Sequence, residues 1–378
     1  MSLWGSLVGQ EDAVAVLSEA TRRESAMTHA WLLTGPPGSG RSVAARAFAA
    51  GLQAPQDPDG TGEEARAALA GTHPDVTVLA TEKVVIAINE ARELVSLAQR
   101  APSQGRWRVI IIEDADRMGE QTGNVLLKAI EEPPPRTVWV LCAPSAQDVL
   151  ATIRSRCRLV TLRVPPAAAV ADLLASDDGI DPELAMECAL AAQSHIGMAR
   201  RLATHPPARE FRRSVLTIPG RVRGVGDAVL AAGELVEQAT EHAKVATAER
   251  DEAEKAELLR TLGGQEGGKV PPALRAQLRQ LEEEQKRRAR RALLDVLDRA
   301  LVDLLSFYRD VLVVQLGADV ELVNRAVADQ VRSTAGASTP ETSVHRMQAI
   351  GQARTRMAAN AAPLLTIEAM VVALRPQA

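Results

Sequence analysis

Short apolar runs alternate with helical patterns through the first part of the chain. Strand patterns lie at residues 30–34, 76–79, 108–113, 137–142 and 159–162. Several of these runs are apolar throughout, which is typical of strands covered on both faces of a sheet. Because helical patterns separate the runs, the sequence predicts parallel βαβ units. We therefore expect an α/β domain in which helices cover both faces of a parallel sheet.

The pattern changes at Pro165 and Pro166. No convincing strand pattern follows them, and alanine, leucine, glutamate and arginine dominate the composition. Residues 165–207 predict a small helical module, and residues 208–378 predict an all-helical domain. The sequence thus divides into an α/β part at 1–164 and two helical parts.

Two long helical patterns, at 234–262 and 273–316, flank the glycine-rich residues 263–268. Apolar periodicity is weak over 234–290, which predicts an antiparallel helical hairpin projecting from the body. The second helix carries the basic run KRRARR at 286–291. A solvated pair of charged helices is the ordinary interpretation, and contact with DNA or a partner through the basic run is the alternative.

Charge and cysteine content exclude several classes of protein. The formal net charge of the 378 residues is -4, so contact with DNA would have to come from a local basic patch or from a complex. The three cysteines are widely spaced and predict neither a disulfide framework nor a zinc cluster. No stretch predicts a membrane span or a leader sequence, and we expect a cytoplasmic protein with no membrane partner.

A glycine-rich loop lies between the first predicted strand and a predicted helix at 42–52. It consists of Gly35, Pro36, Pro37, Gly38, Ser39, Gly40, Arg41 and Ser42. This is the order of a phosphate-binding loop, in which backbone N–H groups and a helix N-terminus face phosphate oxygens. Ser42 has the hydroxyl that would bind Mg²⁺, whereas Arg41 stands where the pattern has lysine. Arginine keeps the charge but is larger and planar, so the loop suits phosphate binding better than catalysis.

Two carboxylates, Glu113 and Asp114, follow the most apolar strand pattern. In phosphate-loop ATPases one carboxylate at this place helps to hold Mg²⁺ and the next polarises water. The usual order is Asp-Glu, and here it is reversed. The longer Glu113 would crowd the metal position, and the shorter Asp114 would fall short of the water. Together with Arg41, the reversal predicts a weakened or absent ATPase.

Six motifs occur in the order of a known family. They are LVGQ at 7–10, HAWLLTGPPGSGRS at 29–42, GTHPDV at 71–76, IIIEDADRM at 110–118, LLKAIEEPP at 126–134 and SRC at 155–157. This series resembles the bacterial clamp-loader AAA+ subunits of DNA polymerase III, and among them the delta-prime type most. The resemblance covers about residues 4–163 and extends more weakly to about Arg201. LLKAIEEPP followed by SRC is its most specific part.

The resemblance implies roles for individual residues. In the family, the arginine of the SRC motif reaches the γ-phosphate bound by a neighbouring subunit, and Arg156 would have this role. Arg200 would be the phosphate-facing arginine of the second sensor region, with a simple helix-surface arginine as the alternative. Ala143 stands where active members carry a polar sensor residue, which is a third indication of lost hydrolysis.

The resemblance also implies cofactors. It predicts a vestigial site for ATP or ADP with Mg²⁺, and the sequence leaves open which nucleotide, if either, would bind. Family members commonly carry a four-cysteine zinc module before the THPDV segment. Residues 52–70 contain no cysteine, so we predict no zinc and a shortened loop with a helix instead.

Partners follow from the same resemblance. It implies an AAA+ P-loop domain at 1–164, a helical lid at 165–207 and a collar at 208–378 that oligomerises with sister subunits. The implied partners are the tau/gamma and delta subunits, the sliding clamp and, through the assembled complex, primed DNA. The chain would act as a stator that supplies Arg156 to its neighbour's ATP site.

The sequence leaves three alternatives open. The chain could be a catalytically active motor subunit of the tau/gamma type, against which Arg41, Glu113-Asp114 and Ala143 argue. It could be another DNA-remodelling AAA+ ATPase, such as a Holliday-junction helicase motor, which should have an intact lysine and a C-terminal winged helix. It could also be an interaction scaffold that binds no nucleotide.

Overall fold

The computed structural model describes residues 2–81, 85–261 and 272–376. They form two compact units, Met1–Thr204 and His205–Ala378. The division into three domains at 164 and 207 remains a prediction. The glycine-rich residues 263–268 of the predicted hairpin lie outside the described residues.

The first unit contains a five-stranded parallel sheet. Its strands are β1 (Ala30–Thr34), β2 (Val76–Leu79), β3 (Arg108–Ile112), β4 (Thr137–Ala143) and β5 (Arg158–Thr161). They are arranged in the order β2-β3-β4-β1-β5, and every neighbouring pair is parallel. The strand that leads into the phosphate loop, β1, therefore lies between β4 and β5. The predicted parallel α/β fold is confirmed.

Nine helices accompany the sheet among the described residues of this unit. They are α1 (Glu11–Arg22), α2 (Arg41–Gln53), α3 (Glu63–Ala70), α4 (Ile88–Ala98), α5 (Glu120–Glu131), α6 (Ala151–Arg154), α7 (Ala167–Asp178), α8 (Pro182–Ala191) and α9 (Ile196–Thr204). Alternate strand residues face opposite sides of the sheet. Trp31 and Ile111 pack on the side of α1, α2 and α3, whereas Leu32 and Ile110 pack on the side of α4 and α5. Helices thus cover both faces, as predicted.

The GTHPDV segment positions β2 through a buried ion pair. Asp75 is fully buried and its Oδ1 lies 2.9 Å from Nη2 of Arg108. The carboxylate also accepts hydrogen bonds from the backbone N–H groups of Ser103, Gln104 and Gly105. The pair therefore ties the start of β2 to β3 and to the loop that precedes β3.

The second unit is helical throughout its described residues. Its helices are α10 (Pro206–Arg221), α11 (Val225–Thr261), α12 (Pro272–Gln315), α13 (Ala328–Gly336), α14 (Pro340–Ala358) and α15 (Pro363–Leu374). Their shared core is rich in leucine and valine and includes Phe307 and Tyr308. Part of α11 and α12 lies in this core, since Leu235 and Leu297 are buried there. The charged segments that the sequence predicts as a hairpin continue from these two core helices.

A buried polar cluster holds the loop that follows α12. The carboxylate of Asp310 accepts hydrogen bonds from the backbone N–H of Asn324 at 2.7 Å and from its side-chain Nδ2 at 2.9 Å. Asp303 accepts from Arg212 of α10 and Arg299 of α12. These bonds satisfy carboxylates that burial would otherwise penalise.

No helix among the described residues is both long enough and apolar enough to span a membrane.

Candidate functional site

The phosphate loop connects the end of β1 to the start of α2. The backbone of Gly38 has φ 85° and that of Gly40 has φ 90°, which is a region that favours glycine. Gly40 is the N-cap of α2, so the loop ends at the N-terminus of a 13-residue helix. The predicted residues of the motif therefore lie in the predicted arrangement. They are Gly35, Pro37, Gly38, Ser39, Gly40, Arg41 and Ser42.

The side chain of Gln10, in the LVGQ motif, binds the backbone of the phosphate loop through a hydrogen bond. Its side chain is buried, and Nε2 donates to the backbone oxygens of Ser39 at 3.3 Å and Arg163 at 2.7 Å. Its Oε1 accepts a hydrogen bond from the backbone N–H of Arg163 at 3.0 Å. One amide side chain thus links the phosphate loop to the chain that leaves β5.

His195 packs against the loop from the α8–α9 connection. A Cβ atom placed on Gly38 would lie only 2.6 Å from Cγ of His195, so the imidazole excludes any side chain at this position. His195 is a contact that the sequence analysis missed. Nothing in the sequence indicates it, because a lone histidine between two helices has many possible roles.

Two buried polar atoms of the loop have no hydrogen-bond partner in the part of the chain that the structure describes. They are Oγ of Ser39 and Nη1 of Arg41. A buried guanidinium nitrogen that lacks an acceptor is costly, and a phosphate oxygen would satisfy it. The helix N-terminus adds partial positive charge at the same place. The residues of the loop therefore fit a phosphate group.

The carboxylates that follow β3 are engaged by arginines. Nε and Nη2 of Arg46 donate to the same oxygen of Glu113, at 3.1 and 2.9 Å. Asp114 faces Arg117, whose Nη2 lies 3.8 Å from Oδ1. The sequence predicts the two carboxylates at this place, whereas it contains no signal for Arg46. These carboxylates do not fit the metal role that the motif implies, because Mg²⁺ would have to compete with a guanidinium for Glu113.

Cys142 is a further group beside the loop. Its Sγ lies 3.8 Å from the backbone oxygen of Arg41. Burial, together with the negative charges of Glu113 and Asp114, raises the pKa of the thiol to about 12. The thiol is therefore uncharged at neutral pH and is a poor metal ligand. Throughout the described ranges, no group of three or more histidine, cysteine, aspartate or glutamate side chains could hold a metal ion.

Arg156 of the SRC motif lies on the surface just before β5. Its guanidinium forms an ion pair with Glu131 of α5 and donates from Nη1 to the backbone oxygen of Thr152 at 2.7 Å. The side chains of Arg156 and Glu131 are 38% and 40% exposed. A pair this exposed contributes little stability, about 1 kcal/mol or less. Arg156 is therefore available to another negatively charged group.

Arg200, predicted as the phosphate-facing arginine of the second sensor, binds a carboxylate of its own unit. Its Nε lies 2.6 Å from Oδ2 of Asp178, at the C-terminal end of α7. The contact joins α7 to α9. The predicted role toward phosphate stays a prediction.

Ala143 is the last residue of β4 and is fully buried. Its methyl side chain cannot hydrogen-bond to phosphate or water, and the loss of hydrolysis inferred from it stays a prediction. The strand next to β1 therefore ends without a polar side chain at this point.

Comparison with known proteins supports the motif assignment. Residues 9–166 match a protein family described as DNA polymerase III, delta subunit. The DNA polymerase III subunit delta' of Pseudomonas aeruginosa is 34% identical over 194 residues, covering 50% of this chain and 59% of the relative. The DNA polymerase III subunit gamma/tau of Mycobacterium tuberculosis is 32% identical over 177 residues, covering 46% of this chain and 30% of the relative. This chain thus spans less than two thirds of either relative.

Among solved structures, a gamma subunit-related protein from Thermotoga maritima is 19% identical, with a TM-score of 0.44 and coverage of 96% of this chain and 99% of the other. A RuvB mutant from the same organism is 17% identical, with a TM-score of 0.39 and coverage of 55% and 64%. The family match lies within the first unit and includes the phosphate loop, the carboxylates after β3 and the SRC motif. On this evidence the first unit of the chain is similar to DNA polymerase III clamp-loader subunits.

Proposed function

We propose that this chain is a delta-prime-type clamp-loader subunit that assists ATP-dependent loading of the sliding clamp onto primed DNA without hydrolysing ATP itself. The observation that carries the proposal is the pairing of Glu113 with Arg46. Relatives named as the delta' subunit, at 34% and 35% identity, support the type of subunit. The tau/gamma and delta subunits, the clamp and primed DNA are the partners that this function requires.

ATP hydrolysis by a phosphate-loop protein requires charge neutralisation by a metal and a carboxylate that orients water. Here Glu113 is held by a guanidinium and Asp114, the shorter acid, faces Arg117. Ala143 supplies no polar group at the end of β4. Each of these features weakens hydrolysis, and all three act on the same reaction.

Arg156 is the residue through which such a subunit can act on the ATP site of a neighbouring subunit. Its only carboxylate partner among the described residues, Glu131, is itself 40% exposed. Exchanging Glu131 for a triphosphate on another subunit costs little and gains a more strongly charged acceptor. We propose that Arg156 acts in this way as a trans arginine finger on the ATP of an adjacent motor subunit.

A motor subunit of the tau/gamma type is the second candidate. The observation in its favour is the 32% identity to the gamma/tau subunit of Mycobacterium tuberculosis, close to the identity with delta' subunits. The two candidates differ in which arginine matters for ATP turnover. A motor depends on its own Arg41, and a stator depends on Arg156.

The test is ATP turnover by a loader reconstituted from motor, delta and this subunit, with clamp and primed DNA. We expect Arg156→Ala to lower turnover by about tenfold or more, as expected for loss of an arginine finger, and Arg41→Ala to change it little. Arg158→Ala is the matched control. This arginine is exposed two residues further on, and its guanidinium lies over Trp31, 5.0 Å from the ring centroid.

The control should keep full turnover. If Arg41→Ala abolishes turnover and Arg156→Ala does not, the chain is a motor and the proposal is wrong. Equal losses in Arg156→Ala and Arg158→Ala would indicate general damage to this edge of the sheet, and would also contradict a specific role for Arg156.

A further inference from the structure

The pairing of Arg46 with Glu113 is fixed by three elements of the fold. Arg46 lies on α2, Glu113 follows β3, and the turn between α3 and β2 closes the site. A Cβ atom on Gly71 of that turn, where φ is 73°, would lie 2.9 Å from Nη1 of Arg46. The guanidinium therefore lies directly over a glycine, with its other two nitrogens on Glu113.

Burial makes this pair stronger than a surface contact. The side chain of Arg46 is 30% exposed and that of Glu113 is 16% exposed, so water screens the interaction only in part. Two N–H groups of Arg46 converge on one carboxylate oxygen, and hydrogen bonds between charged groups are the strong ones. A cation that binds Glu113 would have to displace Arg46 and leave its guanidinium half-buried without a partner.

Magnesium is poorly suited to displace Arg46 from Glu113. It requires nearly ideal octahedral oxygen coordination and gives up its water reluctantly. The other nearby acid, Asp114, is one methylene shorter and faces Arg117, and the thiol of Cys142 is uncharged because its pKa is raised to about 12. The carboxylates and the thiol beside the loop thus disfavour a metal-bound nucleotide, and of the predicted metal ligands they leave the Ser42 hydroxyl.

The loop itself contains a cation, Arg41, that can neutralise the phosphates of a nucleotide. Nη1 of Arg41 is buried and lacks a hydrogen-bond acceptor among the described residues, and α2 presents its N-terminus beside it. A guanidinium binds phosphate oxygens in a bidentate manner that lysine cannot match. Arg41 can therefore neutralise a diphosphate or triphosphate in place of a metal.

We propose that the phosphate loop of this chain binds nucleoside diphosphates and triphosphates in their magnesium-free form. Arg41 is the cation that faces the phosphates, and Arg46 withholds Glu113 from the metal. The inference rests on the proposed function, since it describes the nucleotide site of a subunit that does not hydrolyse ATP. It makes the free polyanion, not its metal complex, the ligand of the site.

The test is titration of the full-length protein with fluorescent ADP and ATP, in excess MgCl₂ and in EDTA. We expect tighter binding in EDTA, by roughly fivefold or more, because metal-bound nucleotide must first release its ion. The preference for EDTA should be larger for ATP than for ADP, since the triphosphate holds magnesium more tightly. A site that binds the metal complex gives the opposite order.

Variants of the pair identify the cause. Arg46→Met frees the charge of Glu113, so binding in EDTA should weaken and magnesium should now improve it. Arg46→Lys keeps a cation beside Glu113 and should keep the wild-type preference. Adding Glu113→Gln to Arg46→Met removes the metal ligand again, and the improvement by magnesium should disappear. Circular dichroism melting establishes that each variant is folded.

Glu113→Gln alone provides a test that does not depend on the stability of Arg46→Met. Because Glu113 is not a metal ligand in this proposal, the variant should keep the preference for EDTA. Tighter binding of the wild type in MgCl₂, or no binding in either buffer, would overturn the inference. Neither result would affect the stator role, which is measured separately by the effect of Arg156→Ala on turnover in the reconstituted loader.

Discussion

The buried carboxylate of Asp75 pairs with Arg108 and fixes the start of the edge strand β2 against β3. Burial by itself would raise the pKa of Asp75. The carboxylate accepts hydrogen bonds from the backbone N–H groups of Gln104, Gly105 and Ser103 and from the Ser103 hydroxyl. These bonds outweigh the effect of burial and lower the pKa of Asp75 to about 2. The guanidinium of Arg108 lies 2.9 Å away and donates also to the backbone oxygens of Pro74 and Ala101. The charged form of the carboxylate is therefore part of the fold.

We predict that Asp75→Asn destabilises the first unit by about 3 kcal/mol at pH 7, because it leaves the charge of Arg108 buried without its partner. The pKa in the folded state lies below the ordinary value near 4. The contribution of the charge, about 2 to 3 kcal/mol, is therefore fully present above about pH 4 and is lost as the pH falls toward 2. Urea unfolding of both proteins at pH 7 and at pH 3 measures the difference.

The matched control is Asp75→Asn combined with Arg108→Met, which removes both charges. It should recover part of the stability lost in the single variant, since replacing a buried pair costs less than breaking it. A single variant as stable as wild type at pH 7, or a loss that does not shrink at low pH, would contradict this account of Asp75.

At the scale of elements, the strands could be predicted because each is a short apolar run with a sharp end. Observed strands begin and end within one residue of the predicted ones. For example, β3 ends at Ile112 and not at Glu113. Long helices were harder to delimit. The start of α11 at Val225 lies nine residues before the predicted start at 234, because the helix continues through Gly226 and Gly233, which a sequence pattern treats as breakers.

The site was predictable in its motifs and not in its pairings. The phosphate loop is contiguous in sequence, so its position after β1 could be derived from residue order. Arg46 and Glu113 are 67 positions apart and meet only because α2 packs on the sheet. The contact of His195 with Gly38 likewise depends on how α7, α8 and α9 pack. Local sequence contains no signal for either contact, and both affect the chemistry of the loop.

The charged segments of α11 and α12 are joined by a network centred on Arg288. Nη1 of Arg288 donates to Asp251 at 2.5 Å and to Glu254 at 3.0 Å, and Nη2 donates to Glu254 at 2.9 Å. The side chain of Arg288 is 16% exposed, and the pKa of Glu254 is lowered chiefly by its hydrogen bond with Arg288. Arg288, one member of the basic run, therefore links α12 to α11.

We predict that Arg288→Ala loosens these segments without unfolding the second unit. Amide hydrogen exchange should accelerate around 245–258 in α11 and 280–292 in α12, since few apolar contacts hold them there. Protection around the buried Leu235 and Leu297 should not change. Arg287→Ala is the control, because Arg287 is exposed and makes no ion pair within the described ranges. Equal exchange in both variants would mean that the network does not hold the helices together.

At the scale of the molecule, each compact unit has its own core. The first unit has one apolar cluster on each face of its sheet, and the second has a single cluster shared by α10–α15. Separate cores are the condition for units that fold and unfold separately. The family match falls entirely within the first unit.

We therefore predict that a cavity in one core destabilises that unit alone. Leu301→Ala removes a fully buried side chain from the second core, and Ile111→Ala does the same within β3 in the first. Each should cost about 2 to 5 kcal/mol. Hydrogen exchange with mass spectrometry should show the loss of protection confined to His205–Ala378 for Leu301→Ala and to Met1–Thr204 for Ile111→Ala. If either variant lowers protection evenly in both units, they unfold as one cooperative body and a single core governs the stability of the whole chain.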